Sequence, residues 1–220
     1  MAHYLVPKKA LLVLPIIIVV LYNDWLLNFW LSPRLNQIIA TVSEASAVGQ
    51  PYNWLYRVLD TLFGLLILAT IPLLMDLKKI YKDSWLLILG YVFAGIDSIV
   101  DAWLQISCAP SLVKGCSFSN HASFSTSAHM IESLVAGTII FVVPCVWWYL
   151  NRRSERSLLN QVSLGFVLVQ IICGFSVVIE KLMKIDSYGV IHRLYLLSIA
   201  VWLATILYSS LLIRIHNNTT

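Results

Sequence analysis

Residues 54–75 read WLYRVLDTLFGLLILATIPLLM, and no charged side chain stands between Asp60 and Asp76. At 1.5 Å per residue a helix of this length covers the roughly 30 Å of a bilayer's hydrocarbon. Its apolar residues are continuous rather than alternating, and the run is too long for a barrel strand. The two ends of the stretch differ. Arg57 and Asp60, three apart, share a helix face near the start, whereas Lys78, Lys79 and Lys82 crowd the connection after the end. That asymmetry, acids at one end and bases at the other, recurs along the chain.

Five further runs have the same character, at about residues 10–31, 85–106, 125–150, 158–182 and 190–213. The first follows Lys8 and Lys9 in the manner of a cleaved signal. No small-x-small site follows it, and it continues to Trp30 before Ser32-Pro33, so it reads as a span. Composition agrees. Of 220 residues, 59% are hydrophobic and 12% charged, against about 25% charged in soluble domains. A soluble enzyme, a disordered regulator and a nucleic-acid binder are excluded. The expected architecture is all-α: one domain, 1–220, of six transmembrane helices with both termini cytoplasmic. Pro15, Pro72 and Pro144 read as kinks that neighbouring helices accommodate. The outer connection 32–53 reads as a surface loop or a short interfacial helix.

Lysine and arginine set the orientation. Lys8, Lys9, Lys78, Lys79, Lys82, Arg152, Arg153, Arg156 and Arg214 fall on one side, which the positive-inside rule makes the cytoplasm of a cell-membrane protein. With three acids (Asp76, Asp83, Glu155) that side carries +6. The other half holds eight acids against six bases, −2. Its bases are Arg34, Arg57, Lys114, Lys181, Lys184 and Arg193. Several of its groups lie within helices rather than loops. Asp97 and Asp101 are one turn apart on the third span, and His129 and Glu132 are three apart near the start of the fourth. Asp24 shares a face with Asn28 on the first span, Glu180 ends the fifth, and His192-Arg193 opens the sixth. Ionisable groups within a span cost roughly 2.5–3.5 kcal/mol each at its centre and generally face the bundle interior. The expectation is an outward-opening polar cavity. Headgroup-level charges such as Arg34, Lys181, Lys184 and Asp186 need no such explanation.

Cys108 and Cys116 lie in the third connection, on the oxidising side, and are expected to form a disulfide; Cys145 and Cys173 lie within spans as small packing residues.

The segments TVSEASAVGQPYNWLY (41–56), DSIVDAWLQISCAPSLVKGC (97–116), SAHMIESLVAG (127–137) and GVIHRLYLLSIAVWL (189–203) carry a resemblance in their order and spacing. The chain resembles the six-helix prokaryotic integral-membrane family catalogued as domain of unknown function nine-nine-eight, from about Gln37 to the sixth span. His129 stands at the family's histidine position. The acidic and cysteine positions that the family keeps close together after the third helix are further apart here, at Asp101 and Cys108. The resemblance implies an architecture and no activity.

Three readings of function follow from the residues. In the first, His129, Glu132, Asp97 and Asp101, with His121, hold a divalent metal such as Zn²⁺ for hydrolysis of a lipid or its headgroup. Glu44 joins the catalytic set, while Ser43, Arg57, Asp60, Glu180, His192 and Arg193 bind substrate. There is no HExxH. A metal-free version uses Ser43, Ser125 or Ser127 as nucleophile with His129 as base. In the second, the protein is a non-enzymatic transporter, scramblase or sensor, although no inverted repeat is visible. In the third, the charge network stiffens an interaction subunit. The expected partner is membrane lipid, with no nucleic acid. No lysine sits mid-span, against a retinal protein.

Overall fold

Asn23 interrupts the first apolar run. In the computed structural model, which describes residues 8–116, 123–152, 158–183 and 187–216 without the side chains of residues 8, 9, 177, 178 and 180–182, a 3-10 turn at Lys8–Val13 leads into α1 (Leu14–Tyr22). The Asn23 amide donates to the Val19 carbonyl one turn back at 2.7 Å, and its side-chain oxygen accepts the Trp25 indole N–H at 2.9 Å. A side chain that bonds the local backbone in this way competes with helix continuation. The chain turns by 52° into a 3-10 turn at Asp24–Leu27 and α2 (Asn28–Leu31). The run expected as one span over about 10–31 is therefore interrupted at Asn23.

The remaining spans are α3 (Asn53–Leu74), α4 (Ser84–Trp103), α5 (Phe124–Asn151), α6 (Leu158–Met183) and α7 (Tyr188–His216). Each of these five is long and apolar enough to cross a membrane, and the bent pair makes a sixth candidate if it counts as one span. Pro72 and Pro144 lie inside α3 and α5. Pro15 instead stands in the first turn of α1, where its missing N–H breaks no helical bond. Among the described residues there is no strand.

Successive spans pack side by side around a ring: α1 on α3, α3 on α4, then α5, α6 and α7, which closes on α1. The tightest joint is α3 with α4. A Cβ on Gly64 would lie 2.5 Å from the Gly95 carbonyl oxygen, and one on Gly95 would lie 2.8 Å from Ile67. Two glycines thus let the backbones meet one turn from Asp60 and Asp97, bringing acids of different helices to one level.

The half of the bundle nearest the lysines is filled. Ile18, Phe63, Leu87, Tyr91, Trp147, Trp202 and Leu207 form one buried cluster, with the Phe166 and Trp202 rings stacked 5.3 Å apart. At that end buried Asp76 receives Lys79 at 2.7 Å and Arg214 at 2.6 Å. Leucines and isoleucines such as Leu65, Leu89, Leu134, Ile172 and Leu194 remain on the outer faces of the ring, a surface that suits lipid.

The opposite end is capped by residues 32–52, folded inward over a second small cluster that includes Leu35, Ala40, Ala45, Tyr56 and Ile106. Neither a bare loop nor a regular interfacial helix describes it. A capping box closes a single 3-10 turn at Val42–Glu44, with the Thr41 N–H donating to Glu44 at 2.9 Å. Arg193 holds the segment from below through the carbonyls of Gln37 (2.7 Å) and Ala40 (2.9 Å). Gly189 allows the approach, since a Cβ there would sit 2.5 Å from the Ala40 oxygen. Cys108 and Cys116 form the expected disulfide, and within that closed loop Ser111 donates its N–H (2.8 Å) and hydroxyl (2.6 Å) to Glu44.

Candidate functional site

Beneath this cap the ring encloses a cavity of about 430 Å³. Its position follows from local structure. Ser123 caps α5, accepting the Thr126 N–H at 3.1 Å, and the Ser107 hydroxyl reaches Ser123 at 2.7 Å. These serines pin the start of α5 to the chain leaving α4, so that His129, one and a half turns into α5, faces Asp101 in the last turn of α4. The break at Asn23 does the same for Asp24, which an unbroken α1 would carry on a continuous helical face.

Five acids line the cavity: Asp24 from the break, Asp60 from α3, Asp97 and Asp101 from α4, and Glu132 from α5. His129 is buried, and its Nδ1 lies 2.8 Å from Asp101 Oδ1. The contact is an ion pair when the ring is protonated, although Nδ1 makes no regular hydrogen bond. Among the described residues His129 is the sole basic group within 4 Å of any of the five carboxylates. Asp97 and Glu132 are close enough for a side-chain hydrogen bond. Carboxyl groups packed so closely either share protons or hold a cation between them.

Imidazole and carboxylate are the ligands that a divalent metal takes. One ligand atom from each of Asp101, His129 and Glu132 lies within 4.8 Å of the others. A Zn²⁺ at about 2.0–2.2 Å from each ligand spaces ligand atoms about 3–4 Å apart, so small rotamer movements would close the set. The unpartnered Nδ1 of His129 fits that role.

The wall changes character with depth. From His129 to Ile140 on α5 the lining descends through Ala136 and Gly137, and on α7 it runs from His192 to Leu196 and Ile199. At 1.5 Å per residue this is about 16 Å of descent. The cavity is polar near the cap and apolar below, the profile of an amphiphile. His192 Nδ1 accepts the Val42 N–H at 3.4 Å, which leaves Nε2 as the protonated nitrogen of the neutral ring.

Other candidates lie elsewhere. Ser43 lines the cavity roof, but the Ser125 hydroxyl is bonded to the Gln105 carbonyl at 2.8 Å, and neither Ser125 nor Ser127 lines the cavity. Glu44, expected among the catalytic set, faces away and knits the cap through Thr41 and Ser111. Arg57 does not pair with Asp60. Its Nε donates to the Ala102 carbonyl at 3.0 Å and its guanidinium lies 4.3 Å over the Trp103 ring. Arg193 is spent on the carbonyls of the cap and of Gly189. In each case a nearby carbonyl or hydroxyl satisfied the group before a more distant acid could. His121 lies outside the described residues, as does the side chain of Glu180. The residues that sequence reasoning missed are Tyr22, Tyr56, Tyr188, Tyr195, Ser46 and Gln170. A spacing of four and three residues puts Tyr188, His192 and Tyr195 on one face of α7, a signal that was available.

Fold and site together define a polytopic helical membrane protein with a one-ended, acid-rich cavity. The chain matches the family described as Protein of unknown function (DUF998) over residues 12–208, and it belongs to that family. The match includes the first, broken span as well as the segments after Gln37. No curated protein and no solved structure matches the chain.

Proposed function

We propose that this protein is a metal-dependent hydrolase embedded in the cell membrane, acting from the extracytoplasmic face on an ester or amide bond of a lipid or its headgroup. The observation that carries the reading is the convergence of Asp101, His129 and Glu132 at the polar end of an amphiphile-shaped cavity. These three residues would hold the ion. When bound, such an ion lowers the pKa of water toward about 7 and polarises a carbonyl. Asp97, beside Glu132, takes up the proton released by the attacking water and returns it to the leaving group. His192, with Nε2–H free of the Val42 bond, donates to the substrate's oxygen. The apolar lower wall excludes water from the acyl end.

The positive-inside rule supports the orientation, since Lys78, Lys79, Lys82 and Arg214 gather at the end opposite the cavity. Dense packing around Trp147 and Trp202 below the cavity supports a one-sided site over a conduit.

The test is metal content and turnover on the purified chain in nanodiscs. The wild type should carry about one divalent ion per chain after metal supplementation and dialysis. His129→Ala and Glu132→Gln should each lose most of it, together with release of product from a mixed phospholipid substrate. A folded wild-type chain without stoichiometric metal would overturn the reading.

A further inference from the structure

The cavity has a second wall that the hydrolytic set does not use. Asp24 and Asp60 face it from the α1 break and from α3, beside the rings of Tyr22 and Tyr56, with Tyr195 opposite on α7. Asp24 is 8% exposed, and its Oδ2 is buried without a hydrogen-bond partner. A carboxyl group removed from water to that degree either keeps its proton or gains from an opposite charge brought beside it. The protein has cations within reach and directs them elsewhere. Arg57, one turn before Asp60, is committed to the Ala102 carbonyl and the Trp103 ring, and Arg193 to the carbonyls of the cap. Among the described residues no basic group lies within 4 Å of Asp24 or Asp60, and His129 pairs with Asp101.

We infer that this wall is a binding site for a substituted ammonium group, with Asp24 and Asp60 as counter-charges and the tyrosine rings as its walls. Two considerations select an organic ammonium over a second metal ion. Two carboxylates fall short of the three or more protein ligands that a metal site of this kind needs, and neither belongs to the Asp101–His129–Glu132 set. Tyrosine faces attract alkylammonium groups through their quadrupole and offer them apolar contact besides. The group arrives either on a lipid headgroup, its acyl chains along the apolar lower wall, or as a free amine. As a statement about the substrate this rests on the hydrolytic reading; as a binding site it stands without it.

The experiment uses the full-length chain, stripped of metal with EDTA and held in nanodiscs of phosphatidylglycerol. Ethanolamine, dihexanoyl-phosphatidylethanolamine and dihexanoyl-phosphatidylglycerol are titrated separately by calorimetry. Saturable binding of the ethanolamine lipid, at least ten-fold tighter than the glycerol lipid, is expected. If free ethanolamine binds equally well, the ligand is the amine itself; if it does not, the ligand is the headgroup. Asp24→Asn and Asp60→Asn, each nearly isosteric, should each weaken binding at least ten-fold. Their melting temperatures without ligand should not fall below the wild-type value, which shows that the fold is retained. Equal binding of both lipids, no binding of either ethanolamine or the ethanolamine lipid, or full binding in both variants overturns the proposal. A wild type that binds the amine but never loads metal would sink the hydrolase and leave the ammonium site standing.

Discussion

The two ends of the bundle treat their acids in opposite ways. At the lysine end, Asp76 sits between Lys79 and Arg214, each within 2.7 Å. At the capped end, five carboxylates converge on one cavity, and among the described residues only Asp101 has a basic group, His129, within 4 Å. The difference is not a general shortage of donors near the cap. Glu44, a few residues from the cavity roof, accepts from Thr41 and twice from Ser111. Among the described acids, the buried oxygen without a hydrogen-bond partner, Asp24 Oδ2, belongs to the cavity. Both the proposed metal site and the proposed ammonium site rest on this contrast between acids that are paired and acids that face the cavity.

Three substitutions sharpen or break this contrast, read as shifts in apparent melting temperature of the detergent-solubilised chain. The largest loss is expected for Glu44→Ala. It strips the partner from the Thr41 N–H and from both Ser111 donors in a buried setting, costing about 3 kcal/mol, and the cap should become more susceptible to proteolysis. Asp76→Ala should cost less, about 1–2 kcal/mol. Lys79 is 56% exposed and Arg214 34% exposed, so both can turn to water or headgroups once the acid is gone. Asp24→Asn should have the smallest effect and the opposite sign, raising stability by about 1 kcal/mol in the absence of ligand, because it replaces a buried carboxyl whose Oδ2 has no hydrogen-bond partner with a neutral amide. If Asp24→Asn destabilises as much as Asp76→Ala does, the cavity acids are a structural network and the contrast between the ends is lost.

Much of the architecture was legible because a bilayer leaves few options. The apolar runs, the gathering of lysines at one end and the pairing of Cys108 with Cys116 all follow from local composition and side. His129, Glu132, Asp97 and Asp101 were legible as a group because helical spacing determines which residues share a face. The Asn23 break was not, since a lone asparagine in an apolar run is equally compatible with an intact helix. The diversion of Arg57 was not legible either. Its spacing to Asp60 allowed an ion pair, but the Ala102 carbonyl and the Trp103 ring, which compete for the guanidinium, come from a different helix.

The sequence by itself determined that this chain crosses a membrane, where its crossings lie and which level of the bundle collects its acids, because the cost of burying charge in hydrocarbon acts on each segment separately. Only the tertiary structure decided which of those acids are neutralised and which are left facing a cavity. That choice depends on donors and carbonyls brought in from other helices, by the glycine contact of α3 with α4, the bend at Asn23 and the folding of the cap onto Arg193. Whether an acid becomes a strut, as Glu44 and Asp76 do, or faces the cavity with an unbonded oxygen, as Asp24 does, is settled by what stands within 3 Å of it.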